Sequence, residues 1–424
     1  MAGDSTRARG TPARPVTDST AEDWLDRVTR PSIKLSIAAV ISVALLVWGV
    51  ATTAWSAFQL DLQVYLLGAR HLFDGSIYAV RISLTPHLPF TYTPFAGLFF
   101  LPLTVFSFHV AKLIWLIISL AALVSLIALS LWAMRPDLDR ARLWLATAVL
   151  SGPMFFLEPI KSNFHFGQIN IVLGLMVFSD LVLVLRIGGR TIPRGILVGI
   201  ASAVKLIPLV FVAYLFVTRQ FKAACVASAS FAVCTALAFA ANPHASWQYW
   251  TKYAYDAKRI GSIFYLSNQS LRGALDRMAH VELSPALVTG LALVVLAAGL
   301  LLSAWAYRRS SAVLGILVAA TTGMVCSPIT WTHHLVWSIP ILLWLALAPD
   351  RPVGGQWWSL AGAVLLWTSP MWAVSSIVTD ELNENLIESL AANSFFWGMV
   401  AFLVGIAILL AHRNRRGSPR LVSP

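Results

Sequence analysis

Apolar residues run along this chain in long blocks without strict alternation, and polar residues gather in short stretches between them. Blocks of roughly 18 or more apolar residues cannot be covered in water and read as membrane-crossing helices. The pattern predicts spans at about 35–57, 110–134, 141–157, 168–187, 222–241, 285–306, 312–326, 333–348, 357–378 and 394–412. Two further apolar segments are interrupted: 94–107 is short and flanked by proline, and 195–217 contains KLIP at Lys205–Pro208. Both are read as broken or re-entrant, because only then do the basic loops fall on one side of the membrane. The expected fold class is all-α, a polytopic membrane protein of about 10–12 transmembrane helices with broken segments and extracytoplasmic loop helices.

Composition sharpens this. Of 424 residues, 58% are hydrophobic and only 12% charged, about half the charged share of a soluble domain. The formal charge of +12 is scattered over short loops, which argues against nucleic acid as a partner and for the cytoplasmic enrichment of Lys and Arg. Arg135/Arg140/Arg142, Arg186/Arg190/Arg194, Arg219/Lys222, Arg308/Arg309, Arg351 and Arg413/Arg415/Arg416/Arg420 then sort to the cytoplasm. Residues 58–93, 158–167, 242–284 and 326–333 sort to the opposite face. So does 379–393, with Asp380, Glu381, Glu384 and Glu388 and no basic residue.

Residues 1–34 read as a cytoplasmic tail whose end, 20–34, forms an interfacial helix. Thr20 and Asp23 make its capping pair, with Trp24, Leu25 and Val28 on one face. The run 35–57 is too long for a signal-peptide core and reads as a retained anchor. Residues 35–412 form the transmembrane catalytic domain and 413–424 a basic cytoplasmic tail. Cys225, Cys234 and Cys326 show no CxxC spacing, so neither a disulfide framework nor zinc is expected.

The candidate chemistry lies on the extracytoplasmic face. In FQLDLQVYLLGARHLFDG, residues 58–75, Asp61 ends the first apolar block, with Tyr65 one turn on and Arg70 and His71 within three turns. A carboxylate half-buried there is placed to accept a proton from a sugar hydroxyl, against the plainer reading of an interfacial helix end. EPIKSNFHFGQIN, residues 158–170, gathers Glu158, Lys161, His165, Gln168 and Asn170. The last two open the next helix, where amides bond hydroxyls and the positive helix end favours an anion; a capping loop is the ordinary reading. Lys205 either snorkels or, with the helix broken at Pro208, meets a phosphate in a cavity. SNQSL, with Asn268 and Gln269, sits in a basic outer loop. In CSPITWTHHLVW, residues 326–337, Trp331 precedes adjacent His333 and His334. Adjacent histidines cannot both ligate from one helix face, and no third ligand stands at metal spacing, so imidazoles beside a departing phosphate fit better than a metal.

DLQVY, FTYTPF, GQIN, KLIP, SNQSL and SPITWTHH, in this order over about residues 35–350, resemble glycosyltransferase family 87. These are polytopic actinobacterial enzymes of the GT-C class that use polyprenyl-phosphate sugars. The resemblance implies a bundle of that class in the inner membrane with its site on the extracytoplasmic side. It also implies mannose transfer from polyprenyl-phosphate-mannose to a phosphatidylinositol mannoside, tetramannoside to pentamannoside through an α-1,2 link, with inversion. Arabinofuranosyl or mannosyl branching of lipoarabinomannan is the alternative within the family, and a lipid-linked sugar flippase the alternative outside it. No internal repeat favours the flippase. The resemblance makes Asp61 the base. The departing phosphate then needs positive charge or donors, for which His333, His334, Lys161, Lys205 and Arg70 are the candidates, with Tyr65, His165, Gln168, Asn170, Asn268, Gln269 and Trp331 as candidates for sugar or headgroup. No cofactor is implied, and residues 61–63 lack a DxD metal motif.

Overall fold

The computed structural model describes residues 32–187, 190–374 and 385–415. The expected interfacial helix up to residue 31, the acidic Asp380, Glu381 and Glu384, and the tail arginines Arg416 and Arg420 lie outside the described residues.

The protein is an all-α polytopic membrane protein. In chain order its helices are α1 (Ile33–Gly49, prolonged by a π-helical Val50–Trp55), α2 (Leu60–Arg70), α3 (Pro94–Phe100), α4 (Phe108–Met134) and α5 (Arg140–Phe155). There follow α6 (Glu158–Phe166), α7 (Asn170–Val182), α8 (Ile196–Val204), α9 (Leu209–Val217), α10 (Phe221–Ala241), α11 (Pro243–Thr251) and α12 (Leu271–Ala279). The remainder are α13 (Pro285–Arg309), α14 (Ala312–Cys326), α15 (Ser338–Leu347), α16 (Gly355–Thr368), α17 (Leu386–Ala392) and α18 (Ser394–Arg415). A two-stranded hairpin, β1 (Arg186–Ile187) with β2 (Arg190–Thr191), joins α7 to α8.

Among the described residues five helices are long and apolar enough to cross a bilayer: Ile33–Trp55, α4, α10, α13 and α18. The other predicted spans are shorter or bent. The span expected at 141–157 stops at Phe155, and α6 leaves it at 76°. The stretch 158–167, read as a loop because it is polar, is therefore a helix. Pro159 in its first turn needs no amide partner, and Gly167 ends it at φ +70°. The span at 357–378 ends at Thr368 and continues as a 3₁₀ turn, Pro370–Ala373.

The two interrupted segments are broken as expected. α3 passes into a 3₁₀ turn, Leu101–Val105, before α4 begins. α8 and α9 form a re-entrant hairpin. Both of its outer ends lie at one end of the bundle, where Arg194 donates to the Gln220 side chain at 3.2 Å. Nine residues of helix reach only about 14 Å, so the tip at residues 205–208 stops part-way through the bundle.

The end holding Arg194 is tied by buried carboxylates. Asp180 caps α8 by accepting from the Gly195 and Val198 amides at 2.9 Å. Asp350, 5% exposed, accepts from the Ser310 and Ser311 hydroxyls at 2.7 and 2.6 Å and from the Trp344 indole at 2.9 Å. Arg413 joins the last helix to this knot through the Asp350 and Arg351 carbonyls at 3.0 and 3.1 Å. Arg194, the Arg308–Arg309 pair before Ser310, Arg351 and Arg413 all lie at this end.

Removing the hub should leave two hydroxyls and an indole N–H without partners, at a cost of about 3 kcal/mol. Asp350→Ala is expected to lower the thermal unfolding midpoint of the detergent-purified protein, and Asp350→Asn to lower it less. A midpoint unchanged in both variants would rule out the knot as a stabilising element.

Candidate active site

Asp61 stands in the first turn of α2, where the positive helix end favours a carboxylate. The chain reaches that helix through Gln59 in a left-handed conformation, φ +48°. What brings Asp61 against the rest of the site is the turn after α6. A Cβ on Gly167 would lie 2.9 Å from the Leu62 Cβ and 3.1 Å from that of Gln59. Only glycine allows both this approach and the positive φ. The Trp115 indole fixes the turn from α4, donating to the Gly167 carbonyl at 2.8 Å.

Gln168 then faces Asp61. The carboxylate is half-buried and accepts hydrogen bonds from Gln168 and Tyr92. Burial raises its pKa from the ordinary 3.8 to about 6, against the lowering effect of those bonds and of the nearby Lys205 charge. The Tyr65 hydroxyl donates to Gln168 Oε1 at 2.9 Å, and its oxygen is 3.2 Å from the Tyr92 hydroxyl. Tyr65 is held flat on Phe100, ring centroids 4.3 Å apart. Asn170 Nδ2 completes the amide chain at 3.2 Å from Gln168 Oε1.

Lys205 is the opposite pole. It follows the last residue of α8, whose negative end favours a cation. Its Nζ donates to Asn170 Oδ1 at 2.8 Å and lies 2.9 Å from His334 Nε2 and 5.5 Å from the centre of the Tyr92 ring. With the ammonium donating, His334 Nε2 must be the acceptor, so that imidazole is neutral and holds Lys205 in place. His333 differs. Its carbonyl is fixed by Asn163 and Asn170 at 2.6 and 3.0 Å, while both ring nitrogens are buried without a partner. Its ring packs against Phe166, centroids 5.7 Å apart. Behind Lys205, Asn170 and His334 lies a cavity of about 40 Å³ whose remaining wall is apolar, including Leu173, Val177, Phe211, Met324 and Trp337.

The structure thus brings Asp61, Tyr65, Gln168, Asn170, Lys205, His333 and His334 into one cluster. It does not join the other candidates to it. Arg70 is exposed at the far end of α2, and Lys161 is exposed on α6 near Glu158 and His165. His165 is exposed and lies edge-on to Phe166. Asn268 and Gln269 are fully buried, and their amides are spent on the chain itself. Asn268 bonds the Ile263 carbonyl and the Ser270 and Thr330 amides. Gln269 bonds the Leu266 and Ala392 carbonyls and the Phe395 and Phe396 amides. They hold the outer loops together and offer nothing to a sugar. Trp331 is partly exposed on the neighbouring loop, next to Tyr265.

Sequence reasoning missed Tyr92 and Asn163. Tyr92 sits in FTYTPF one residue before Thr93, which caps α3 and bonds the Ala203 carbonyl near the hairpin tip. Its signal was a phenol at the start of a membrane-buried helix, read there as an interfacial aromatic.

Residues 90–328 match the sequence profile described as Glycosyltransferase family 87. That stretch contains Tyr92, Gln168, Asn170 and Lys205; Asp61 and the two histidines flank it. The polyprenol-phosphate-mannose-dependent α-(1-2)-phosphatidylinositol mannoside mannosyltransferase of Mycobacterium tuberculosis is 33% identical over 403 residues, 88% of this chain and 91% of that protein. Its counterpart from Mycolicibacterium smegmatis is 32% identical over 91% of this chain and 92% of its own. A polyprenol-phosphate-mannose-dependent α-(1-2)-phosphatidylinositol pentamannoside mannosyltransferase of Mycobacterium tuberculosis is 35% identical over 77% and 76%. No solved structure matches the chain. On the profile and on relatives aligned over nearly their whole length, the chain belongs to glycosyltransferase family 87.

Proposed function

We propose that this protein transfers a mannosyl residue from polyprenyl phosphate mannose to a phosphatidylinositol mannoside, forming an α-1,2 bond by a single inverting displacement. One observation carries the reading: a half-buried carboxylate and a half-buried ammonium are joined by a chain of amides and phenols, and a small cavity with mostly apolar walls lies behind the ammonium. A phosphodiester with a prenyl chain on one side and a sugar on the other suits that order of surfaces. The names of the relatives supply mannose, phosphatidylinositol mannoside and the linkage.

In this mechanism Asp61 takes the proton of the acceptor hydroxyl as that oxygen attacks the anomeric carbon opposite the phosphate. The C–O bond to phosphate breaks, and a β-linked donor yields an α-mannoside. The leaving group is already a stable phosphate monoester, so one carboxylate suffices where a glycosidase uses two. Lys205 receives the developing charge, aided by the positive end of α7 at Asn170 and by a His333 ring nitrogen. His334 positions Lys205. The basic end of the bundle faces the cytoplasm in this reading, which puts the cluster on the extracytoplasmic side.

Three outcomes test it. Asp61→Asn should lower mannose transfer in membranes by about 10²–10⁴-fold, as loss of a general base does, with protein level unchanged; normal turnover would remove Asp61 from the chemistry. Lys205→Ala and His333→Ala should each lower kcat by roughly tenfold to a thousandfold, and rates unaltered in both would dismiss the phosphate role. Because Asp61 must be ionised and its pKa is raised to about 6, kcat/KM should rise with pH through that value, up to the pH at which Lys205 loses its proton. A profile flat down to pH 5 would contradict this.

A further inference from the structure

One residue along from His333, the chain turns to a second carboxylate that the transfer mechanism leaves unused. Glu158, at the start of α6, accepts from the Thr332 and Ser162 hydroxyls through Oε1, both at 3.0 Å. Its Oε2 is buried and has no hydrogen-bond partner. A buried carboxylate oxygen without a donor is uncommon and asks for a reason. Three aromatic rings stand at the same place. The Trp372 indole N–H is directed at the Glu158 carboxylate without closing a hydrogen bond of full geometry. The Tyr265 ring bridges the two tryptophans, 6.2 Å from Trp372 and 6.0 Å from Trp331. These rings are not core: Tyr265 is 39% and Trp372 40% exposed. Trp331 is kept in position by Gly261, φ +154°, where a Cβ would come within 3.0 Å of its ring.

Partly exposed aromatic faces next to an acceptor with a spare lone pair suit a hexopyranose. Its C–H face packs on a ring while neighbouring hydroxyls donate to the carboxylate. The loop order fixes the relation to the chemistry, because Thr332 bonds Glu158 while the carbonyl of the next residue, His333, is held by Asn163 and Asn170 of the catalytic cluster. The exposed Lys161, one turn along α6 from Glu158, adds a cation for an anionic headgroup.

We infer that Glu158, Trp372, Tyr265 and Trp331 form a carbohydrate subsite that holds the glycan headgroup of the acceptor beside the catalytic cluster. This rests on the transfer reaction proposed above and names where its acceptor sits. Glu158 is here a binding residue that touches glycan hydroxyls, not a participant in bond breaking.

The test uses the full chain purified in detergent, polyprenyl phosphate mannose as donor and a short-chain phosphatidylinositol mannoside as acceptor. Glu158→Gln and Trp372→Leu should each raise the acceptor KM about tenfold or more while the donor KM stays at the wild-type value. Trp372 is exposed, so its replacement keeps a folded protein even where the Glu158 variant does not. An acceptor KM unchanged in both variants overturns the subsite. So does a fall in kcat at unchanged KM, which would make Glu158 only a brace for Thr332 and His333. Binding of fluorescently labelled acceptor, measured without donor in an Asp61→Asn background, separates the two proposals. If the wild-type protein makes no mannosyl product but Glu158→Gln and Trp372→Leu still weaken binding tenfold, the transfer reading fails and the subsite stands. If labelled acceptor binds the variants as tightly as their parent, the subsite fails whatever the turnover.

Discussion

A charged amine cannot rest inside an apolar bundle alone, and the site is organised around that constraint. Lys205 is placed at the tip of a broken hairpin, at the negative end of α8, with Asn170 and His334 as its direct partners. Burying an ion is tolerable only when its charge is opposed and its protons are used. Asp61 opposes it, and the amides of Asn170 and Gln168 with the phenols of Tyr65 and Tyr92 link the two charges. Each of these side chains is satisfied only because the next is present. The cluster is therefore a single polar network in a medium that punishes loose ends.

The backbone serves that network at three points where helices fail to continue. Gly167 lets α6 stop and the start of α2 come close. Pro208 follows the turn at which α8 gives way to α9. The 3₁₀ segment Thr332–Trp337 lets two successive residues, Thr332 and His333, point to different partners. Irregular backbone at membrane depth is acceptable here because protein, not lipid, surrounds it. At the opposite end of the molecule Asp180 and Asp350 knot helix termini together.

The sequence made visible whatever interrupted an apolar block. Asp61, Lys205 and the histidine pair stand out because a charge or imidazole in such a setting has few structural uses. The re-entrant character of 195–217 followed from loop charges and a proline. Less legible were residues whose chemistry is common in loops. Tyr92 and Asn163 look like an interfacial phenol and a helix-face amide until the chain crosses on itself. The reverse error came from Asn268 and Gln269. A polar outer loop suggested ligand binding, yet a loop packed under others must spend its amides on backbone groups, and these do. The helix at Glu158–Phe166 was hidden because its polar face reads as loop, and the bend that turns it from α5 is a tertiary fact.

The order in which these residues occur along the chain gives the network a history. Asp61 leaves the ribosome first, then Asn170, then Lys205, and the two histidines only after six more long or short helices. When the re-entrant hairpin carries its ammonium into the bilayer, a carboxylate and an amide are already waiting, and the imidazoles lock a pair that exists. Reversing that sequence would ask the translocon to leave a lone cation in lipid until its partners were synthesised, so the order of synthesis is itself part of how a buried ion is made tolerable.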